Sequence, residues 1–103
     1  MKVITIADRL EMAADSGAYE ISLFVWKSTV KRLSDQDITF TDQGLKGCRK
    51  GERYYLISWK DAIVSDLPDN WTFDEVVQER DLSQGQILWL MAEDTNRNKA
   101  ARN

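Results

Sequence analysis

Ala18-Tyr19-Glu20-Ile21-Ser22-Leu23-Phe24-Val25-Trp26-Lys27-Ser28-Thr29-Val30-Lys31-Arg32-Leu33 is the stretch on which the fold turns. Tyr19, Leu23, Trp26, Val30 and Leu33 recur at spacings of four, three, four and three, one continuous stripe at the helical period. Ile21, Phe24 and Val25 fall on the other side, so the first half of such a helix is buried nearly all round. The competing reading is a strand over residues 19–26, where β-branched and aromatic residues are frequent. Because the stripe continues through Val30 and Leu33, where a two-residue alternation fails, a helix over residues 18–33 is the expectation.

Upstream, Val3, Ala7, Leu10 and Ala14 predict an amphipathic helix over residues 4–15, stopped by Ser16-Gly17. Downstream, Asp37-Ile38-Thr39-Phe40-Thr41 changes to period two, and Arg53-Tyr54-Tyr55-Leu56-Ile57-Ser58-Trp59 is strongly strand-like. With Gly44, Gly47 and Gly51 between them, these two runs predict a β-hairpin with a long loop. An isolated hairpin is marginal, so it must lie against the helices or pair with another strand. Residues 60–66 suggest a short helix closed before Pro68, and Asp69-Asn70-Trp71 a turn. Thr72-Phe73-Asp74-Glu75 has the form of a capping box opening another short helix, with Trp71 placed to staple the turn to it. Ser83 is the candidate N-cap of a last helix over residues 84–96, and residues 98–103 are expected to fray. Trp26 and Trp59 sit within apolar patterns and read as core. The expectation is an α+β fold: a mainly helical small single domain over residues 1–97 with one β-hairpin.

Composition removes whole classes of chemistry. The chain has 103 residues, one cysteine and no histidine. Internal disulfides, cysteine-rich zinc sites, His-ligated metals and histidine-dependent nucleophilic mechanisms are excluded together. Cys48 has cations beside it but only carboxylates and lysines as bases, a poor activating set. Asp35 with Asp37, and Asp66 with Asp69, are the carboxylate pairs nearest to a magnesium site, yet both sequences are also those of turns and helix caps. No phosphate loop, dinucleotide fingerprint or EF-hand spacing occurs. Neither catalytic residues nor a metal or cofactor site is expected, and the chain is not read as an enzyme. The charged start is unlike a signal peptide, no apolar run approaches the length of a spanning helix, and a free thiol fits a cytoplasmic protein without membrane contact.

Residues 72–90 follow a helix-turn-helix in outline, with Val76, Val77, Leu82, Ile87 and Leu90 for the crossing and Ser83, Gln84 and Gln86 towards bases. Val77, Arg80 and Asp81 depart from that pattern, standing where a small residue, an apolar contact and a glycine belong. Charge weighs more. Over residues 61–94 nine acidic residues stand against Arg80, a net of −8, which repels a phosphate backbone. Lys46, Arg49, Lys50, Arg53 and Lys60 against Glu52 give +4 over residues 46–60, and Lys27, Lys31 and Arg32 add three more cations.

The leading functional expectation is therefore a non-catalytic regulatory or inhibitory protein that docks its acidic C-terminal half on a partner protein's basic surface, such as a nucleic-acid-binding groove. Its contact residues are Asp74, Glu75, Glu79, Asp81, Glu93 and Asp94, with Leu88 and Trp89 as apolar anchors. In general make-up it resembles the small acidic inhibitors carried by phages and other mobile elements, a likeness of composition without a shared motif. The alternative is a winged-helix-like regulator, monomeric or homodimeric, that binds DNA through a basic hairpin tip of Lys46, Arg49, Lys50 and Arg53, with Tyr54 and Tyr55 as aromatic support.

Overall fold

The structure is a computed structural model and describes residues 3–101. Helix α1 (Ile6–Asp15) leads into strand β1 (Glu20–Trp26), helix α2 (Lys27–Leu33) and a 3-10 turn (Ser34–Gln36). Strands β2 (Thr39–Lys46) and β3 (Glu52–Ser58) follow, then helices α3 (Phe73–Glu79) and α4 (Gln84–Ala101). The α+β class is as expected, but the hairpin is part of a three-stranded antiparallel sheet of order β1-β3-β2.

The third strand comes from the deciding stretch. Residues 20–26 are extended and only 27–33 are helical, which corrects the single helix expected over residues 18–33. The physical reason is pairing. β1 runs antiparallel to β3 from Glu20↔Ser58 to Trp26↔Glu52, so the β3 ladder satisfies its backbone. Alternation then sends Ile21, Leu23 and Val25 to one face beside Tyr55 and Ile57, and sends Ser22, Phe24 and Trp26 to the other. Single-chain periodicity sees the stripe but not the partner strand, and sheet context overrides it. The rear of the stripe survives in α2, where Leu33 is buried.

The inner face of the sheet carries the main core. Val25, Tyr55 and Ile57 pack with Leu10 and Ala14 of α1, Leu88 of α4, and Leu33, Ile38 and Trp59. Trp59 is 1% exposed and its indole Nε1 donates to the Ala18 carbonyl at 3.1 Å, so that tryptophan is core as expected. Trp26 is not: it is 41% exposed on the opposite face.

A second cluster of Val64, Val76 and Leu90, joined by Leu67, Trp71, Phe73 and Val77, lies under the chain between β3 and α4. Residues 60–66 form no helix. Ala62 and Val64 are buried while Asp61, Ile63 and Ser65 are exposed, a period-two pattern that a helical turn would break. Arg80 holds this segment by donating from Nη1 to the Ser65 carbonyl at 2.7 Å and from Nη2 to the Asp66 carbonyl at 2.9 Å.

Helix α4 knits the parts together. Ser83 caps it reciprocally with Gln86, the Gln86 amide donating to Ser83 Oγ and the Ser83 amide to Gln86 Oε1. It runs five residues past the expected end at residue 96, to Ala101. Its polar side chains occupy the carbonyls that α1 leaves free at its C-terminus, which carries the helix beyond its last apolar contact. Thr95 donates to Asp15, Asn96 to Gly17 and Lys99 to Ser16. Residues 102 and 103, the end of the expected frayed tail, lie outside the described residues.

Candidate interaction surfaces

The acidic half divides into two unlike sets. The first spans residues 61–81, which leave β3 at Ser58, the strand's end away from the hairpin loop. Asp61, Asp66, Asp69, Asp74, Glu75, Glu79 and Asp81 are all exposed. None of them makes an ion pair among the described residues. Arg80 is the single basic residue there, leaving a net of −6, and its guanidinium is held by the Ser65 and Asp66 carbonyls. Ile63, 59% exposed, is the large apolar side chain among these carboxylates.

The second set belongs to the scaffold. Glu93 is half-buried and accepts a hydrogen bond from the Tyr19 hydroxyl, which also accepts from Asn96 Nδ2 at 3.3 Å. Burial, then the carboxylate of Glu93, push the Tyr19 phenol above its ordinary pKa. Asp94 accepts from Arg97 Nη2 at 3.0 Å, and the same nitrogen donates to the Trp71 carbonyl at 2.8 Å while the guanidinium stacks 3.9 Å from the Trp71 ring centroid. The two expected apolar anchors also turn inward. Leu88 is 0% exposed in the main core, and Trp89 is half-buried against both clusters, so neither is a free anchor. Helix α4 is enclosed on several sides, and its indole bridges two cores.

At the other end of β3 the hairpin loop gathers cations. The Gly47 amide donates to the Glu52 carbonyl and the Glu52 amide to the Arg49 carbonyl, closing the turn. The Lys27 amide donates to the Gly51 carbonyl at 3.3 Å, which brings the start of α2 to the loop. Gly51 has φ +92° and lies against the Trp26 ring, where a side chain has neither backbone freedom nor room. A hollow of about 320 Å³ results, lined by Lys27, Lys46, Arg49 and Lys50 together with Glu52 and Arg53. Of the expected cations, Lys46, Arg49 and Lys50 are exposed. Arg53 is half-buried and 3.1 Å from Asp42 Oδ2, an ion pair too poorly angled for a hydrogen bond. That pair offsets the Lys46↔Arg53 juxtaposition across the strands, beside the β2 irregularity between Asp42 and Lys46. Cys48 is exposed as a free thiol.

Tyr54 and Tyr55 part company. Tyr55 is buried on the inner face with Phe40 edge-on to it, whereas Tyr54 is on the outer face directly opposite Phe24. Phe24, Trp26 and Tyr54 share that face, with Ile6 and Arg9 of α1 bordering them in a hollow of about 410 Å³. Sequence reading missed this group because it assigned Phe24 and Trp26 to a buried helix. The alternation Ser22-Phe24-Trp26 was the signal that could have found it.

The two helices of the helix-turn-helix outline are present as α3 and α4. Gly85, at the start of α4, is buried against the Asp37 carbonyl, and the Gln84 amide points to Gln36 Oε1. Ser83 and Gln86 cap the start of α4, and Ser83, Gln84 and Gln86 are half-buried. Among the described residues no His, Cys, Asp and Glu side chains group as a metal site, and no helix is long and apolar enough to cross a membrane. No protein-family model matches this chain, nor does a curated protein or a solved structure.

Proposed function

We propose that this chain is a non-catalytic regulatory or inhibitory protein of the cytoplasm. It acts by setting the carboxylates of residues 61–81 on a basic protein surface, such as a groove that otherwise holds nucleic acid. The observation that supports this reading is the exposure of seven carboxylates in one stretch of chain without an ion pair among the described residues. Such a field accelerates encounter with a cationic partner and discriminates against acidic ones. Asp74, Glu75, Glu79 and Asp81 from the expected set carry the contact. Ile63 takes the apolar place that Leu88 and Trp89 leave, since an interface needs a desolvated centre within its charged rim.

The test is capture of partners from the native host by the immobilised chain, alongside a D74N/E75Q/E79Q/D81N variant, with bound proteins identified by mass spectrometry. The expected result is a basic protein retained at low and physiological salt, released progressively as ionic strength rises above that, and absent from the variant. Equal retention by the two chains, or binding indifferent to salt, overturns the reading.

A further inference from the structure

We infer that the outer face of the sheet and the adjoining hairpin loop form a binding site for single-stranded nucleic acid, with Phe24, Trp26 and Tyr54 stacking bases and Lys27, Arg49 and Lys50 holding phosphates. The site is distinct from the acidic surface of residues 61–81, which leaves β3 by its other end.

The aromatic half is defined by register. Phe24 and Tyr54 stand opposite one another across β1 and β3, their ring centroids 4.8 Å apart and tilted by 49°. Trp26 is two residues further along β1, about 7 Å away at the usual strand rise, so the three rings form a short row along one face. Phe24 and Trp26 remain 43% and 41% exposed, although residues of this kind are normally the first to be covered in a small domain. Rings presented in a row on an open sheet face suit successive unstacked bases, because every base offers a π-face whatever its identity.

The cationic half adjoins the end of that row. Trp26 is the residue before Lys27, and its ring touches Gly51 of the hairpin loop. Lys27, Lys46, Arg49 and Lys50 line a second hollow beside the end of the row, the two hollows sharing Glu52, and Arg9 borders the rings from the α1 side. Glu52 is the acidic residue lining both hollows. It opposes phosphate locally, and a carboxylate among stacked bases accepts from their exocyclic amino groups. The polyanion is chosen over an acidic protein because a nucleic-acid strand carries π-faces and phosphates in regular alternation, which suits a row of rings that ends at a cluster of cations. It is chosen single-stranded because rings fixed on a flat face cannot reach bases stacked inside a duplex.

The test is fluorescence anisotropy of the full chain with labelled mixed-sequence single strands of about 12 nucleotides, one RNA and one DNA, and the same DNA as duplex, at about 50 and 200 mM salt. The expected result is binding of at least one single strand at least ten-fold tighter than the duplex, with the two single-strand arms telling RNA from DNA. Trp26→Ala and Phe24→Leu should each weaken binding at least five-fold, the latter keeping an apolar side chain so that far-UV circular dichroism reports an intact fold. A double Arg49→Ala, Lys50→Ala variant should lower the salt slope by about 1.4, the increment for two phosphates of a single strand. The inference is overturned by no binding at roughly 100 µM protein in low salt, where even non-specific complexes form. It is likewise overturned by duplex binding equal to single-strand binding, or by folded ring variants of unchanged affinity. Sedimentation showing that the loop instead binds the acidic stretch of a second copy, with no oligonucleotide bound, overturns it too.

Discussion

Asn96 donates from Nδ2 to the carbonyl of Gly17 at 3.0 Å, fastening the last third of α4 to the turn that ends α1. The contact works because Gly17 has φ +95° and no side chain: a β-carbon there meets the Asn96 amide group. Helix C-terminus, turn and distant helix are thus one hydrogen-bonded unit, to which Thr95 and Lys99 add their own bonds to Asp15 and Ser16.

Gly17→Ala is accordingly expected to cost about 1–3 kcal/mol, from backbone strain and loss of the Asn96 contact together. Asn96→Ala should cost less, about 1 kcal/mol, because it removes one hydrogen bond and leaves the backbone relaxed. Urea unfolding of the two variants checks both size and order.

Tyr19 makes the same region sensitive to alkali. Its phenol is raised above the ordinary tyrosine value by burial and by Glu93, so the folded state keeps its proton after the unfolded chain has released it. That contribution to stability is complete below the unfolded pKa of 10.0 and falls as pH rises from there through the folded value. Thermal melts between pH 8 and pH 12 should show the decline, and Tyr19→Phe should remove this component of it. An unchanged alkaline slope in Tyr19→Phe counts against the Glu93 bond.

Gly85→Ala tests the buried start of α4. The added methyl runs into the Asp37 carbonyl, a backbone atom with little freedom to yield, and a loss of about 1–3 kcal/mol or more is expected. Leu88→Ala, three residues on in the same helix, should cost about 2–5 kcal/mol from a fully enclosed site. If either variant unfolds at the wild-type urea concentration, α4 does not dock as described.

Arg97→Lys serves as the local probe of the second cluster. Lysine keeps the charge but loses the planar stacking on Trp71 and the fork shared between the Trp71 carbonyl and Asp94. A loss of about 1 kcal/mol and a red shift of tryptophan emission are the expected outcome.

Much of the local structure was legible in residue order. Thr72 does accept from the Glu75 amide, one half of the expected capping box, Ser83 does cap α4, and the period-two run through Phe40 and the strand-like run over residues 53–59 do mark β2 and β3, because caps and pleats are written within a few residues. The charge asymmetry was equally readable, since seven carboxylates within residues 61–81 need no fold to be counted. Three-dimensional packing decided the rest. Whether residues 20–26 coil or extend depended on β3, some thirty residues away, offering a ladder that outweighs a helical stripe. That single pairing moved Phe24 and Trp26 from a supposed interior to an open surface, while the closure of α4 between two cores took Leu88 and Trp89 out of solvent. Periodicity reports which residues share a face; which face meets water is settled by the elements that come to lie against it.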